Sequence, residues 1–130
     1  MKDESINQLT HKIIGSAMEV HNQLGNGFQE VVYQRALAIE FGIQGLSFAR
    51  ELEMPLEYKG ESIGSRRVDF FVENQVMVEI KAIEKLEGVH IAQAINYCEA
   101  YNIADGLLIN FGAERLQYHR VFNNKLKNKS

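Results

Sequence analysis

Three charged residues near the middle of the chain have types and spacing that suit metal-dependent chemistry: Asp69 in "RRVDFF", and Glu79 and Lys81 in "VMVEIKAIEK". The second stretch alternates as a half-buried strand does, so Glu79 and Lys81 project to the same side. A hairpin turn centred near Asn74 would place Asp69 opposite Glu79, with Cβ atoms about 4.5–5.5 Å apart. Two carboxylates at that distance repel unless a cation lies between them. The pattern indicates either a divalent-metal site or, more simply, a solvated strand face with a surface ion pair.

The ligand types indicate which metal such a site would hold. Carboxylates of Asp69 and Glu79, with the backbone carbonyl of Ile80, suit Mg²⁺ or Mn²⁺ better than Zn²⁺, which favours thiolate and imidazole. The ammonium of Lys81 could orient or deprotonate a water, or offset the charge on a phosphate. The opposite face of the hairpin is apolar and predicts core packing; it carries Phe70, Val72, Val78 and Ile80.

Two helical segments add polar candidates. In "GFQEVVYQRALAIEF", Glu30 shares a stripe with Tyr33, Leu37 and Phe41, which predicts a carboxylate that faces inward. The alternative is an acid in the first turn of a helix, where the macrodipole favours it.

A second polar stripe lies in "EGVHIAQAINYCEAYN", where His90, Gln93 and Tyr97 fall at i, i+3 and i+7. This stripe runs beside an apolar face, so the three residues form either one side of a site or a solvated surface.

The elements that must position these residues follow from the period of the apolar residues. Helices are predicted from about Ile6 to Leu24 and from Phe28 to Phe41. Three antiparallel strands then follow, with Pro55 marking an edge strand or a bulge. A third helix and two strands, "DGLLINFG" and "LQYHRVF", complete the order ααβββαββ. The helix before the fourth strand is long enough for a right-handed parallel crossover, so we predict an α/β fold with a mixed sheet flanked by helices.

The length, composition and charge of the chain limit its possible domain organisation, partners and location. At 130 residues and 45% hydrophobic content, we expect a single domain over residues 1–122 and a frayed basic tail over 123–130. The net charge of −3 disfavours a protein that simply coats nucleic acid. The single cysteine and the absence of a long apolar run predict a cytoplasmic protein that does not cross a membrane.

The motifs taken together resemble a known group of enzymes. Glu30 on a helix, Asp69, "EIK" at 79–81 and "QAINY" at 93–97 are similar to the PD-(D/E)xK nuclease superfamily, here without the proline, since Val68 precedes Asp69. Within it the chain resembles the GxxExxY family, whose motif reads Gly27, Glu30 and Tyr33 over a similarity that spans about residues 6–122.

This resemblance implies a restriction-endonuclease-like fold. It implies Asp69 and Glu79 as metal ligands, Lys81 as catalytic lysine and Glu30 as a further acid, with room for a second metal. Gln93 and Tyr97 match the QxxxY motif of RecB-like exonucleases, which helps hold the site or the substrate strand. His21 is similar to a metal-binding histidine of some RecB-like members, but its place near an apolar stripe favours a packed or supporting residue.

Three functions remain open at this point. The first is a nuclease that uses Mg²⁺ or Mn²⁺, with nucleic acid, DNA foremost, as its partner. The second is a binding module for nucleic acid or protein that keeps the nuclease fold without turnover. The third is a homodimeric structural protein that buries an apolar face.

Overall fold

The structure, a computed structural model, describes residues 4–127. Its helices are α1 (Glu4–Leu24), α2 (Glu30–Ile43), α3 (Gly88–Ala100) and the short α4 (Asn124–Lys127). Its strands are β1 (Phe48–Tyr58), β2 (Glu61–Val72), β3 (Val76–Lys81), β4 (Asp105–Asn110) and β5 (Gln117–Phe122). The predicted order of two helices, three strands, a helix and two strands is confirmed. None of the helices in this range has the length and apolar character needed to span a membrane.

The five strands form one mixed sheet in the order β1-β2-β3-β4-β5. Only β3 and β4 are parallel, and α3 connects them, so the predicted crossover is present. β1 is an edge strand, and its register shifts between Leu56 and Glu57. The strand therefore has the edge position that Pro55 predicts, and the extra residue of the neighbouring bulge, Ile63, lies in the partner strand β2.

Both faces of the sheet are covered, each by a separate core. One core joins α1 and α2 to the inner face residues of β2 and β3, including Phe70, Val78 and Ile80. The other joins α3 to Val68 and Met77. Strand alternation places Glu79 and Lys81 on the same side as Met77, so both lie under α3.

Partway along the β1–β2 hairpin, the buried side chains of β2 switch from one face of the sheet to the other. Val68 packs in the core with α3, whereas Phe70, two residues later, packs in the core with α1 and α2. A regular strand would keep both residues on one face. The interruption lies at Asp69, and the facing residue Glu51 has a left-handed backbone with φ of 54°. Asp69 therefore lies where the hairpin passes from one layer to the other.

The folded region extends past the predicted boundary at residue 122. Asn123 is buried, and its Nδ2 donates to the carbonyl of Cys98 at 3.1 Å. Its Oδ1 accepts from the amide of Lys125 at 3.0 Å and so caps α4. Residues 128–130 of the predicted tail lie outside the described residues.

Candidate active site

The β2–β3 hairpin brings Asp69 and Glu79 together. Its register pairs Phe70 with Val78, and the same register continued by one residue sets Asp69 opposite Glu79. The amide of Ile80 donates to Oδ2 of Asp69 at 2.8 Å, so the carboxylate of Asp69 lies against β3 beside the base of Glu79.

Glu79 is a buried acid with an incomplete set of partners. It is 3% exposed, and Nη2 of Arg66 donates to its Oε1 at 2.7 Å. Its other oxygen, Oε2, is buried and has no hydrogen-bond partner among residues 4–127. Burial and then the charge of Asp69 raise the pKa of Glu79 to about 7, although Arg66 and Lys81 act in the opposite direction. The alternative of a solvated strand face is therefore wrong for this residue.

Asp69 is oriented by hydrogen bonds to both of its oxygens. In addition to the Ile80 amide, Nε2 of Gln34 donates to Oδ1 at 2.8 Å. Gln34 is itself fixed by Nε of Arg50, which donates to its Oε1 at 3.0 Å. Burial raises the pKa of Asp69, while the hydrogen bonds from Ile80 and Gln34 act to lower it. Asp69 thus contacts α2 through Gln34 and β3 through Ile80.

Glu30 differs from the predicted inward-facing carboxylate. It is the first residue of α2 and is exposed, whereas Tyr33, Leu37 and Phe41 of the same predicted stripe are fully buried. The reason is that the stripe begins one turn later, where the helix first meets the sheet. Glu30 nevertheless belongs to the same electrostatic cluster, because partial desolvation of its carboxyl and then the charge of Asp69 raise its pKa.

Tyr33 anchors the loop that precedes Glu30. Its hydroxyl donates to the carbonyl of Gly25 at 2.5 Å and accepts from the amide of Phe28 at 3.2 Å. Its ring stacks on Phe111 with centroids 4.7 Å apart. Tyr33 therefore stabilises the turn that precedes α2, whose first residue is Glu30. This contact gives a structural reason for the spacing between Gly27 and Tyr33.

Helix α3 closes the other side of the cluster. A narrow cleft between β3 and α3, too tight to admit a water molecule, is lined by Glu79, Lys81, His90, Gln93 and Tyr97, with Ala94 and Leu108 at its apolar side. The structure therefore places Gln93 and Tyr97 beside the two charged residues of β3. The third residue of the predicted polar stripe, His90, caps α3, because its Nδ1 accepts from the amide of Glu87 at 2.9 Å.

Lys81 is half-buried at the end of β3, and its backbone is tied to the neighbouring strand. Its carbonyl accepts from the amide of Phe111 at 2.9 Å. Just beyond, the fully buried Asn110 accepts from the amide of Ile83 and donates to its carbonyl, both at 2.9 Å. Within residues 4–127 the ammonium of Lys81 makes no ion pair, but its charge opposes the rise in pKa of all three carboxyls of the cluster, Glu30, Asp69 and Glu79.

Two residues of this arrangement were absent from the sequence interpretation, Arg66 and Gln34. Gln34 lies four residues after Glu30, a helical spacing that could have suggested a shared face. Arg66 gives no comparable signal, because strand alternation from Asp69 would assign Arg67, not Arg66, to the carboxylate face. His21 is buried, and its Nε2 lies 3.0 Å from the carbonyl of Ala113, which matches a packed histidine.

The residues present fit a divalent cation only in part. Among residues 4–127, no three His, Cys, Asp or Glu side chains converge closely enough to hold a metal, so Glu30 does not join Asp69 and Glu79 in one ligand set. The observation that favours a cation is the unpartnered, buried Oε2 of Glu79 next to Asp69. The carbonyl of Ile80 and water would have to complete the coordination shell.

Comparison with known proteins gives the same fold. A family model for the PD-(D/E)XK nuclease superfamily matches residues 7–121. The crystal structure of SSO0001 is similar, with a TM-score of 0.55 and 18% identity, covering 72% of this chain and 50% of that one. This chain thus spans half the length of SSO0001, and the likeness shows a common fold. No curated protein matches the chain. Because the family match extends from α1 to β5, the chain belongs to the PD-(D/E)XK nuclease superfamily, with a restriction-endonuclease-like fold.

Proposed function

We propose that this protein is a metal-dependent nuclease that hydrolyses phosphodiester bonds, with DNA as its substrate and Mg²⁺ or Mn²⁺ as its cofactor. The observation that carries the proposal is Glu79, a buried acid whose Oε2 has no hydrogen-bond partner within residues 4–127 and whose neighbour is a second acid, Asp69. Such a pair is costly for the folded state unless a cation compensates it. The membership of the chain in a nuclease superfamily supports the same function.

Asp69 and Glu79 would hold the metal, with the carbonyl of Ile80 as a further oxygen ligand, and Glu30 would add negative charge to the cluster. A divalent ion there supplies stabilisation of the negative charge on the phosphate. Lys81 would donate a hydrogen bond to the attacking water. That water forms one P–O bond and releases a proton to solvent as the bond to the leaving oxygen breaks, and the leaving oxygen takes up a proton from solvent. The ammonium also offsets charge on the phosphate.

Gln93 and Tyr97 would position the substrate strand from the α3 side of the cleft. Their polar groups line the same space as Glu79 and Lys81, as expected if the QxxxY motif of RecB-like nucleases applies. The narrower assignment to the GxxExxY family rests on Gly27, Glu30 and Tyr33, and is part of this proposal.

Metal calorimetry and a cleavage assay on the same samples test the function. We expect the wild type to bind Mn²⁺ and to cleave DNA, and Asp69→Asn and Glu79→Gln to lose both properties. Glu53→Gln is the matched control, since Glu53 is an exposed acid of the same hairpin, 3.6 Å from Arg67. Cleavage by Asp69→Asn, in a preparation free of contaminating nuclease, would refute the assignment.

A second candidate is a module that binds nucleic acid or a partner protein without turnover. The contact that favours it is the ion pair of Arg66 with Glu79 at 2.7 Å, because a guanidinium already compensates one of the acids. Binding of an oligonucleotide by the wild type with no cleavage under Mg²⁺, Mn²⁺, Ca²⁺ or Co²⁺ would support the module.

A further inference from the structure

Arg66 makes an incomplete ion pair. Arginine and a carboxylate commonly pair through two parallel hydrogen bonds. Here only Nη2 donates, to Oε1 of Glu79 at 2.7 Å. Nε of Arg66 and Oε2 of Glu79 are both buried and have no hydrogen-bond partner within residues 4–127. A pair that served only to stabilise the fold would satisfy both atoms. The side chain of Arg66 is 30% exposed, so the part of the guanidinium that faces solvent can donate to a further group.

The guanidinium is nevertheless held firmly in place. It lies over the ring of Tyr97, with Cζ 4.8 Å from the centroid, and Tyr97 stacks on Tyr101. The hydroxyl of Tyr101 donates to the carbonyl of Met54 at 3.2 Å, and Met54 is the β1 residue paired with Arg66. The end of α3 is therefore fastened to the hairpin at the level of Arg66, which fixes the position of the guanidinium before any ligand binds.

The charges of the cluster indicate what kind of anion Arg66 would bind. Arg66 acts electrostatically on the same three acids as Lys81, namely Glu30, Asp69 and Glu79. With the acids ionised, these five residues carry one net negative charge. A divalent cation would convert it to one positive charge, and a single phosphodiester group would neutralise that. Without Arg66, the loaded site would carry no net charge and would offer the phosphodiester less attraction.

We propose that Arg66 is a substrate-binding residue whose guanidinium donates to a phosphate oxygen of the nucleic acid strand while Nη2 remains on Glu79. This inference rests on the proposed function for the identity of the substrate. Arginine suits the role because its planar fork can serve a carboxylate and a phosphate together and can stack on an aromatic ring. A lysine offers a single point charge and does neither.

Oligonucleotide affinity tests this role separately from catalysis. The probe is a fluorescein-labelled single-stranded oligonucleotide with phosphorothioate linkages, titrated in Ca²⁺ by fluorescence anisotropy at several salt concentrations. We expect Arg66→Gln and Arg66→Lys each to weaken binding at least tenfold. We also expect the dependence of log affinity on log salt to lose about one in slope for Arg66→Gln. The matched control is Arg67→Gln, because Arg67 is 62% exposed at its side chain and should change affinity less than twofold.

Two further readouts separate this inference from the proposed function. Mn²⁺ calorimetry should show that both Arg66 variants still bind metal, since the competing guanidinium hydrogen bond is weakened or lost. Thermal unfolding reports whether each variant is folded. If Arg66→Gln does not fold, Arg66→Lys still tests the role, because it retains the positive charge beside Glu79. Oligonucleotide affinity within twofold of wild type in folded Arg66→Lys would show that Arg66 is only a structural counter-ion. Failure of the wild type to cleave DNA would refute the nuclease proposal and leave the affinity comparison intact.

Discussion

Replacing Glu79 with glutamine should stabilise the protein in the absence of metal, and more so at high pH. The pKa of Glu79 is about 7 in the folded state, against an ordinary value of 4.5. The folded state thus binds this proton more tightly than the unfolded state, so the free energy of unfolding falls as pH rises from 4.5 through 7. At about 1.4 kcal/mol per pH unit, full ionisation of Glu79 costs the folded state about 3 kcal/mol. Glutamine cannot ionise and avoids this cost.

The assay is urea denaturation of wild type and Glu79→Gln at pH values from 4.5 to 8.5, with a chelator present. The difference between their free energies of unfolding should be small near pH 4.5, should increase across the interval to pH 7, and should level off near 3 kcal/mol above it. The difference reports the titration of Glu79 together with its coupling to Asp69 and Glu30, whose pKa values are also raised. Adding Mn²⁺ should then stabilise the wild type and leave Glu79→Gln unchanged, since a ligand stabilises only the state that binds it.

Two results would refute this reasoning. A constant difference across the pH range would mean that Glu79 titrates normally and that its burial is compensated by Arg66. A Glu79→Gln variant less stable than the wild type at pH 8 would mean that the ion pair with Arg66 outweighs the cost of burying the charge. Glu53→Gln, at an exposed site, should stay within about 0.5 kcal/mol of the wild type at every pH.

Three other substitutions test the parts that hold the site. Gly112→Ala should destabilise the protein by about 2–3 kcal/mol in urea denaturation, because the new Cβ would overlap the backbone N and O of Ile83. Gln34→Ala should weaken Mn²⁺ binding in calorimetry by roughly tenfold, because it removes a hydrogen bond that orients Asp69. Glu51→Gly should stabilise the protein by about 1 kcal/mol, because glycine adopts the left-handed φ of 54° without steric cost.

Each of these substitutions has a control elsewhere in the chain. Gly15→Ala in α1 meets no atom within 4 Å and should stabilise the protein by up to about 1 kcal/mol. Gln44→Ala removes an exposed glutamine that contacts Glu40, and Mn²⁺ affinity should not change. Glu53→Gly lies in the same strand as Glu51 and should destabilise it by about 1 kcal/mol. Equal effects in a variant and its control would contradict the mechanism assigned to that variant.

The elements of this fold could be predicted from the sequence because their signals are local. Apolar periodicity defines α1, α2 and α3, glycine stops end α1 and α2, and the unbroken apolar run of β4 predicts a strand buried on both faces. The pairing of Asp69 with Glu79 also follows from local rules, since it depends only on a short turn and on strand alternation. These signals require no knowledge of distant contacts.

The position of Arg66 in the site could not be predicted, because it depends on an interruption in the alternation of side chains along β2. Sequence rules place Arg67 on the face of Asp69, yet the left-handed Glu51 and the interruption at Asp69 turn Arg66 toward α3 instead. Glutamate has no special preference for positive φ, so nothing in the local sequence marks the change. For a related reason the sequence leaves two interpretations of Glu30, and the structure shows the second, an acid in the first turn of α2. Helical periodicity identifies the apolar stripe but not the residue at which the helix first meets the sheet.

The same irregularity explains how one small domain assembles a site from both of its layers. β2 has 12 residues and β3 has 6, so the β1–β2 hairpin extends past the end of β3. This outer part of the hairpin can therefore fold toward α3. Asp69 lies at the crossing point, where it accepts hydrogen bonds from Gln34 of α2 and from Ile80 of β3. A regular hairpin would keep Asp69 on one face and direct Arg66 toward the other. The backbone strain at Glu51 is therefore a cost of bringing the guanidinium of Arg66 to the α3 side, where Glu79 lies, while Asp69 stays bonded to α2.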